Sequence, residues 1–201
     1  MSSIRHLRAA DRRRTPWKNG GGTTSEVLLF PEGATADDFD WRISLADVEC
    51  PGMFSIFPGV DRITAVMEGR LALAIKGEAQ SLELIEGGQA MAYPGDFPTF
   101  GVPLDGPVRD LNLMLRRGRW IGSIEYLPTA LGNVPVSAEQ CVILAPVGAQ
   151  VDYDGEGCDL GAGDAMWLVP ATDDFVSLSA STPLYIIQMC REGPEPLERS
   201  A

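Results

Sequence analysis

Four stretches of this chain set donor-rich side chains on segments that otherwise alternate like core. The first runs Thr15-Pro16-Trp17-Lys18-Asn19-Gly20-Gly21-Gly22-Thr23-Thr24-Ser25-Glu26. Consecutive glycines take left-handed turns and let backbone N–H groups approach a ligand, so Gly20 and Gly21 join Trp17, Lys18, Asn19, Thr23 and Glu26 as candidate binding residues. A flexible entry loop is the plainer alternative. It is not a phosphate loop, because the G-x-x-x-x-G-K-[ST] spacing is absent and a strand pattern follows. The second stretch, Trp41 to Ala46, places Arg42 and Ser44 opposite Trp41, Ile43 and Leu45. The third, Phe57 to Arg62, is a tight turn carrying Asp61 and Arg62. In the fourth, Arg109 to Arg117, Asp110, Asn112, Met114 and Arg116 share a face. A polar residue amid apolar alternation faces solvent, pairs internally or lines a cavity. Four such segments together argue for a polar pocket.

Lys18, Asn19, Arg42, Ser44, Arg62 and Asn112 make that pocket a donor-rich one. Arginine forks suit a carboxylate and amides suit a carbonyl or formyl oxygen, so the expected partner is a small anionic metabolite. Asp61, Asp96 and Asp110 are placed to pair with the arginines, or one of them to act as a general base. Residue types alone leave that open, and no catalytic residue is assigned. His6 is the single histidine. One chain therefore supplies neither a two-histidine metal site nor a Ser-His-Asp triad nor a Cys-His pair. A carboxylate site built on Asp61 or Asp96 would be weak and oxygen-only. No metal and no cofactor are expected.

The net charge is −12, from 16 basic and 28 acidic residues. Such a surface repels phosphate backbones and anionic membranes, so neither nucleic acid nor membrane is an expected partner. The cluster Arg5, Arg8, Arg12, Arg13, Arg14 is read as a solvated segment ahead of the first strand. Cys50, Cys141, Cys158 and Cys190 form no C-x-x-C pair and sit near apolar residues, which suggests buried thiols. The N-terminal residues lack the apolar run of a signal peptide, and a cytoplasmic location is expected.

The elements that must position these residues are strands. Leu71, Leu73 and Ile75 alternate with small residues, turn signals recur every few positions, and no long stretch has helical periodicity. Hydrophobic residues make up 45% of the chain, enough for a substantial core. An internal echo pairs Leu84–Pro94 with Leu160–Pro170, each leading to an apolar strand that ends in arginine, Leu111–Arg116 and Tyr185–Arg191. Gly88 followed by Pro94-Gly95 resembles the second motif of cupins, with Phe97-Pro98-Thr99-Phe100 where a histidine is expected. The expected fold is all-β, a bicupin of two tandem jelly-roll-like barrels in one compact body. The first spans 1–118 with the pocket, the second spans 119–191, and 192–201 is a loose tail.

Pro16–Glu26, Trp41–Ala46, Phe57–Arg62, Gly95-Asp96-Phe97-Pro98 and Asp110–Arg117 together resemble the HutD/Ves family in order and spacing. The resemblance covers roughly residues 14–118 and implies a bicupin linked to bacterial histidine utilisation (the HutD branch) or to stress response (the Ves branch). It also implies a pocket for a small carboxylate such as formylglutamate or urocanate. Ser25 departs from the family pattern, where an arginine is frequent. Three functions are set against each other. One is a metal-free binder with a regulatory role, using Arg42 and Lys18 as anion donors. The second is a metal-independent isomerase or hydrolase with Asp61 or Asp96 as base. The third is an interaction module that forms a homodimer through an edge of the second barrel.

Overall fold

The alternating segments fold as strands from end to end in a computed structural model that describes residues 3–153, 156–170, 174–180 and 182–193. The first half carries β1 (Ser3–Leu7), β2 (Arg14–Pro16), β3 (Gly22–Phe30), β4 (Trp41–Val48), β5 (Gly52–Phe54), β6 (Val60–Ile75), β7 (Leu82–Ile85), β8 (Met91–Pro94) and β9 (Thr99–Arg116). The second carries β10 (Trp120–Leu127), β11 (Ala130–Val136), β12 (Gln140–Leu144), β13 (Ala149–Tyr153), β14 (Glu156–Leu160), β15 (Ala165–Val169), β16 (Asp174–Ala180) and β17 (Leu184–Arg191). Among the described residues the only helical element is a 3-10 turn at Ala9–Asp11, and no helix is long and apolar enough to cross a membrane. The fold is all-β, as expected.

An eight-stranded sheet runs β2-β3-β4-β9-β6-β7, with β5 added to β9 and β8 to β6. The long strands β6 and β9 pair along nearly their whole length, with register shifts between Val66 and Arg70. Such irregularities bend a ladder and curl the sheet. Gly69 sits at the bend with φ +86, and a Cβ there would meet the Pro107 carbonyl at 3.0 Å. The second half forms a five-stranded sheet, β1-β15-β12-β17-β10, and a four-stranded one, β11-β16-β13-β14.

The five-stranded sheet is buried on both faces, which is why β12 reads as an unbroken apolar run. Cys141 and Ile143 point toward the four-stranded sheet and pack with Val151, Leu160, Met166 and Leu184. Val142 and Leu144 point the other way, into a core shared with Trp41, Ile43, Leu45, Ile63, Ala65, Leu111 and Leu113 of the first half. One continuous core therefore joins the halves, and Tyr185 of β17 donates its hydroxyl to the Val66 carbonyl of β6 at 3.0 Å across it.

Two expectations change at the N-terminus. Residues 3–7 are a strand, and it pairs with β15 in the second half's sheet instead of joining the first unit. His6 is on that strand, 2.8 Å from Asp164 through Nε2. Three of the five arginines of this region are engaged as well: Arg5 meets Glu32, Arg12 donates to the Gly163 carbonyl at 2.5 Å, and Arg14 meets Asp47. The thiols also differ from expectation, since Cys141 is buried but Cys50 is exposed. The tail from 194 on lies outside the described residues.

Trp41 has no exposed surface and contacts Phe30, Trp120 and Trp167. Trp41→Ala should cost about 3–5 kcal/mol, read as a lower urea midpoint. A loss below about 1 kcal/mol would mean that this core does not join the halves as described.

Candidate functional site

The face of β4, β9 and β6 opposite the shared core lines an open cavity of about 770 Å³. Backbone register arranges its floor in rows. Arg42, Met114 and Arg62 lie side by side; below them come Ser44, Asn112 and Thr64; then Ala46, Asp110 and Val66. Two guanidinium groups thus flank one methionine. Phe54, Phe57 and Trp17 supply apolar wall, and Arg13, Lys18, Thr24, Glu26 and Leu29 complete the side toward β3. A bulge between Glu26 and Leu28 explains Leu29. The extra residue reverses the alternation, so Val27 and Leu28 pack on the shared core and Leu29 returns to the cavity side.

The floor is a buried polar network. Asn112 Oδ1 accepts from Arg62 at 2.8 Å and from Thr64 Oγ1 at 2.9 Å, while Thr64 and the Tyr93 hydroxyl are 3.1 Å apart. Asn112 Nδ2 donates to Asp110 Oδ1. Arg62 is only 7% exposed, and its guanidinium lies over the Phe54 and Tyr93 rings at 5.2 and 5.3 Å from their centroids. These two ring faces offset part of the cost of removing the cation from water. Arg42 stands 3.6 Å from Glu26 through Nε, a charge contact beyond hydrogen-bond reach, and it touches Met114 Sδ at 3.9 Å. Burial pulls the Arg42 guanidinium below its usual pKa; Glu26 acts the other way and Arg62 adds a small push in the same direction as burial.

Three atoms of this floor are buried without a hydrogen-bond partner among the described residues: Arg42 Nε, Arg62 Nε and Asp110 Oδ2. Buried polar atoms are nearly always paired, so three in one cavity mark a site built for something besides its own stability. Asp110 is fully buried, and desolvation pushes its carboxyl up to about 7. The Arg62 charge and the Ala46 backbone hydrogen bond work against that rise, and Asp47 adds to it.

Of the residues singled out from sequence, Trp17, Lys18, Asn19, Glu26, Arg42, Ser44, Arg62, Asp110, Asn112 and Met114 meet around the cavity. The others do not. Asp61 and Asp96 both accept from Arg117 at 2.6 Å on an exposed rim, and Asp96 also takes the Gly59 N–H. Alternation explains Asp61, which must point away if its neighbour Arg62 points in. Those bonds hold the Asp96 carboxyl below its usual range. Arg116 shares the Asp110 face but sits past the cavity, over the Phe39 ring, where it donates to the carbonyls of Asp37, Phe39 and Pro58. Thr23 is on the far face of β3 from Thr24, whose Oγ1 takes the Trp17 indole N–H at 2.8 Å.

Gly20 and Gly21 serve the hairpin between β2 and β3. Gly20 has φ +70 and donates to the Trp17 carbonyl, and Gly21 donates to Asn19 Oδ1. Their N–H groups are spent inside the loop. Gly22 lets the hairpin lie against β4, because a Cβ there would meet the Asp47 carbonyl at 2.3 Å. Sequence reasoning passed over Arg13, Phe54, Phe57 and Tyr93, none of which stands in a period-two pattern with the donors. Among the described residues no group of three or more His, Cys, Asp or Glu is placed to hold a metal ion.

The family model described as HutD matches residues 9–184. The chain belongs to the HutD family. It is 36% identical over 193 residues to a protein of the hutC 3′ region in Pseudomonas putida, a match covering 94% of this chain and 98% of that one. The solved structure of HutD from Pseudomonas fluorescens SBW25 aligns with TM-score 0.78 at 29% identity, covering 95% of this chain and 100% of that one. Protein Ves of Citrobacter koseri is 34% identical over 113 residues, 54% of this chain and 58% of Ves. The HutD family is linked to the histidine-utilisation operon.

The raised Asp110 sets a sign for stability. In the unfolded chain the carboxyl titrates near roughly 4, so between there and about 7 the native state holds the extra proton. Asp110 favours folding fully below that window and disfavours it increasingly as pH rises through it. Asp110→Asn keeps an oxygen for Asn112 and should flatten this decline in urea midpoints. An unchanged pH slope in the variant would refute the assignment.

Proposed function

We propose that this HutD protein binds a small carboxylate metabolite of histidine degradation without a metal ion, and that it serves regulation of that pathway. The observation that carries the reading is the Arg42–Met114–Arg62 row, with one half-buried and one buried guanidinium group whose buried Nε atoms have no hydrogen-bond partner among the described residues. A guanidinium held this way meets a carboxylate with little further loss of side-chain freedom, and Arg–carboxylate bonds out of water are strong.

Charge supports the same ligand class. Arg13, Lys18, Arg42 and Arg62 line the cavity against Glu26 and Asp110, in a chain whose net charge is −12. A local cationic basin on an acidic surface favours a small acid that fits inside over a large polyanion that must also face the rest of the protein. Trp17, Phe54, Phe57 and Met114 offer apolar and ring surface for the ligand's carbon frame. A formylglutamate-like or urocanate-like acid has both parts. The enzymatic alternative loses its two proposed bases, since Asp61 and Asp96 are bound to Arg117 on the rim.

Isothermal titration with N-formylglutamate and with urocanate tests the reading. At least one acid should bind, and Arg42→Ala should weaken it about 10- to 100-fold, the worth of one charge-assisted bond. Absence of binding by both acids at millimolar concentration, or equal binding by the variant, would overturn it.

A further inference from the structure

Two acids line the cavity, and they differ in access. Glu26 keeps 39% of its side chain exposed beside Arg42, whereas Asp110 has none. Asp110 Oδ1 is held by Asn112, and Oδ2 is buried without a hydrogen-bond partner among the described residues. A ligand held by Arg42 and Arg62 need not touch this carboxyl. It reaches Asp110 through charge, chiefly by competing for Arg62.

The groups facing Asp110 are few. From β6 comes Arg62, the cation that favours its ionised form. From β4 comes Asp47, which disfavours it but is itself bound by Arg14 and Arg109; Arg42 lies further along the same strand, against Glu26 of β3. Glu68 of β6 is turned to Arg109. From β8 comes Tyr93, whose hydroxyl stays neutral because burial raises its pKa. Among the described residues Arg62 is thus the one cation whose field sustains a negative Asp110, and it is also half of the anion site.

We propose that an anion settling between Arg42 and Arg62 draws one proton onto Asp110, so that the cavity takes up its acid together with a proton and holds it less tightly as pH rises. The inference rests on the anion-binding reading above. The proton comes from hydronium or a buffer acid in solvent, whose bond to the proton breaks as an O–H bond forms at Oδ2 and the carboxylate charge is discharged. In a low-dielectric floor a unit negative charge at this range displaces the proton equilibrium of Asp110 by about one pK unit or more. Because that carboxyl already titrates near about 7, the coupling acts within the physiological range. The affinity then responds to cell pH as well as to ligand concentration.

The test uses the full chain and formate, the smallest carboxylate. Asp110 13Cγ and the arginine Nε–H signals are followed across about pH 5 to 9, with high-millimolar sodium formate or equal sodium chloride. Asp110→Asn assigns the carbon signal. Formate should raise the Asp110 midpoint by about one unit, and its affinity should fall by about tenfold in all as pH rises through the free and bound midpoints, levelling off above them. If the Arg42 and Arg62 signals respond to formate while the Asp110 midpoint stays put, this inference falls and the binding reading stands. If neither responds, both fall. Should Asp110→Asn fail to fold, titration of the wild type in buffers of different ionisation enthalpy counts the protons directly: uptake of about half a proton near about pH 7.5 supports the coupling, and uptake near zero overturns it.

Discussion

The ladder that seats β9 between β4 and β6 decides where every important side chain goes. It puts Arg42, Met114 and Arg62 in one row and Asn112 between Ser44 and Thr64. The same pairing sends Trp41, Ile43, Ile63, Leu111 and Leu113 to the opposite face, into the core shared with the second half. A slip of one residue would bury the arginines in that core and turn its leucines toward the cavity. Neither face tolerates the exchange. The site is therefore as firmly placed as the core, and the second half acts as the anvil against which the cavity sheet is held.

Given that placement, the electrostatics follow from burial. A guanidinium withdrawn from water needs compensation, and Arg62 finds it in two aromatic faces, one amide oxygen and the charge of Asp110. The compensation is incomplete by one nitrogen on each arginine and one oxygen on Asp110. Such a network is less stable alone than a fully satisfied one, and it gains most from an anion that completes it. The low dielectric that makes the empty donors costly also lets one charge on the floor be felt at the carboxyl beneath it.

Much of this was legible in the chain. The alternation of Trp41–Ala46 places Arg42 and Ser44 on the cavity side, and the spacing of Asp110, Asn112 and Met114 marks one face, because period two survives in strands with a buried back. The echo between Leu84–Pro94 and Leu160–Pro170 returns as strand-turn-strand segments, β7 to β8 and β14 to β15, in the two halves. What failed has physical reasons. Asp61 and Asp96 lie close to the donors in sequence, yet strand alternation turns Asp61 away from Arg62, and Asp96 sits in the turn after β8, so both reach the rim. Three glycines suggested an open cradle, whereas they close a hairpin whose N–H groups are internally satisfied. The β1 strand carries Arg5 and His6 in a five-residue edge and has too little alternation to announce itself. Phe54 and Tyr93 reach Arg62 from separate strands, a proximity that no local pattern encodes.

The central claim is that the two arginines flanking Met114 receive a carboxylate. Its most direct measurement is a crystal structure of the protein soaked or grown with N-formylglutamate or urocanate. The account predicts density for the acid in the cavity, with its carboxylate within hydrogen-bond distance of Arg42 and Arg62. Density for the acid held elsewhere, with both guanidinium groups untouched, would contradict it.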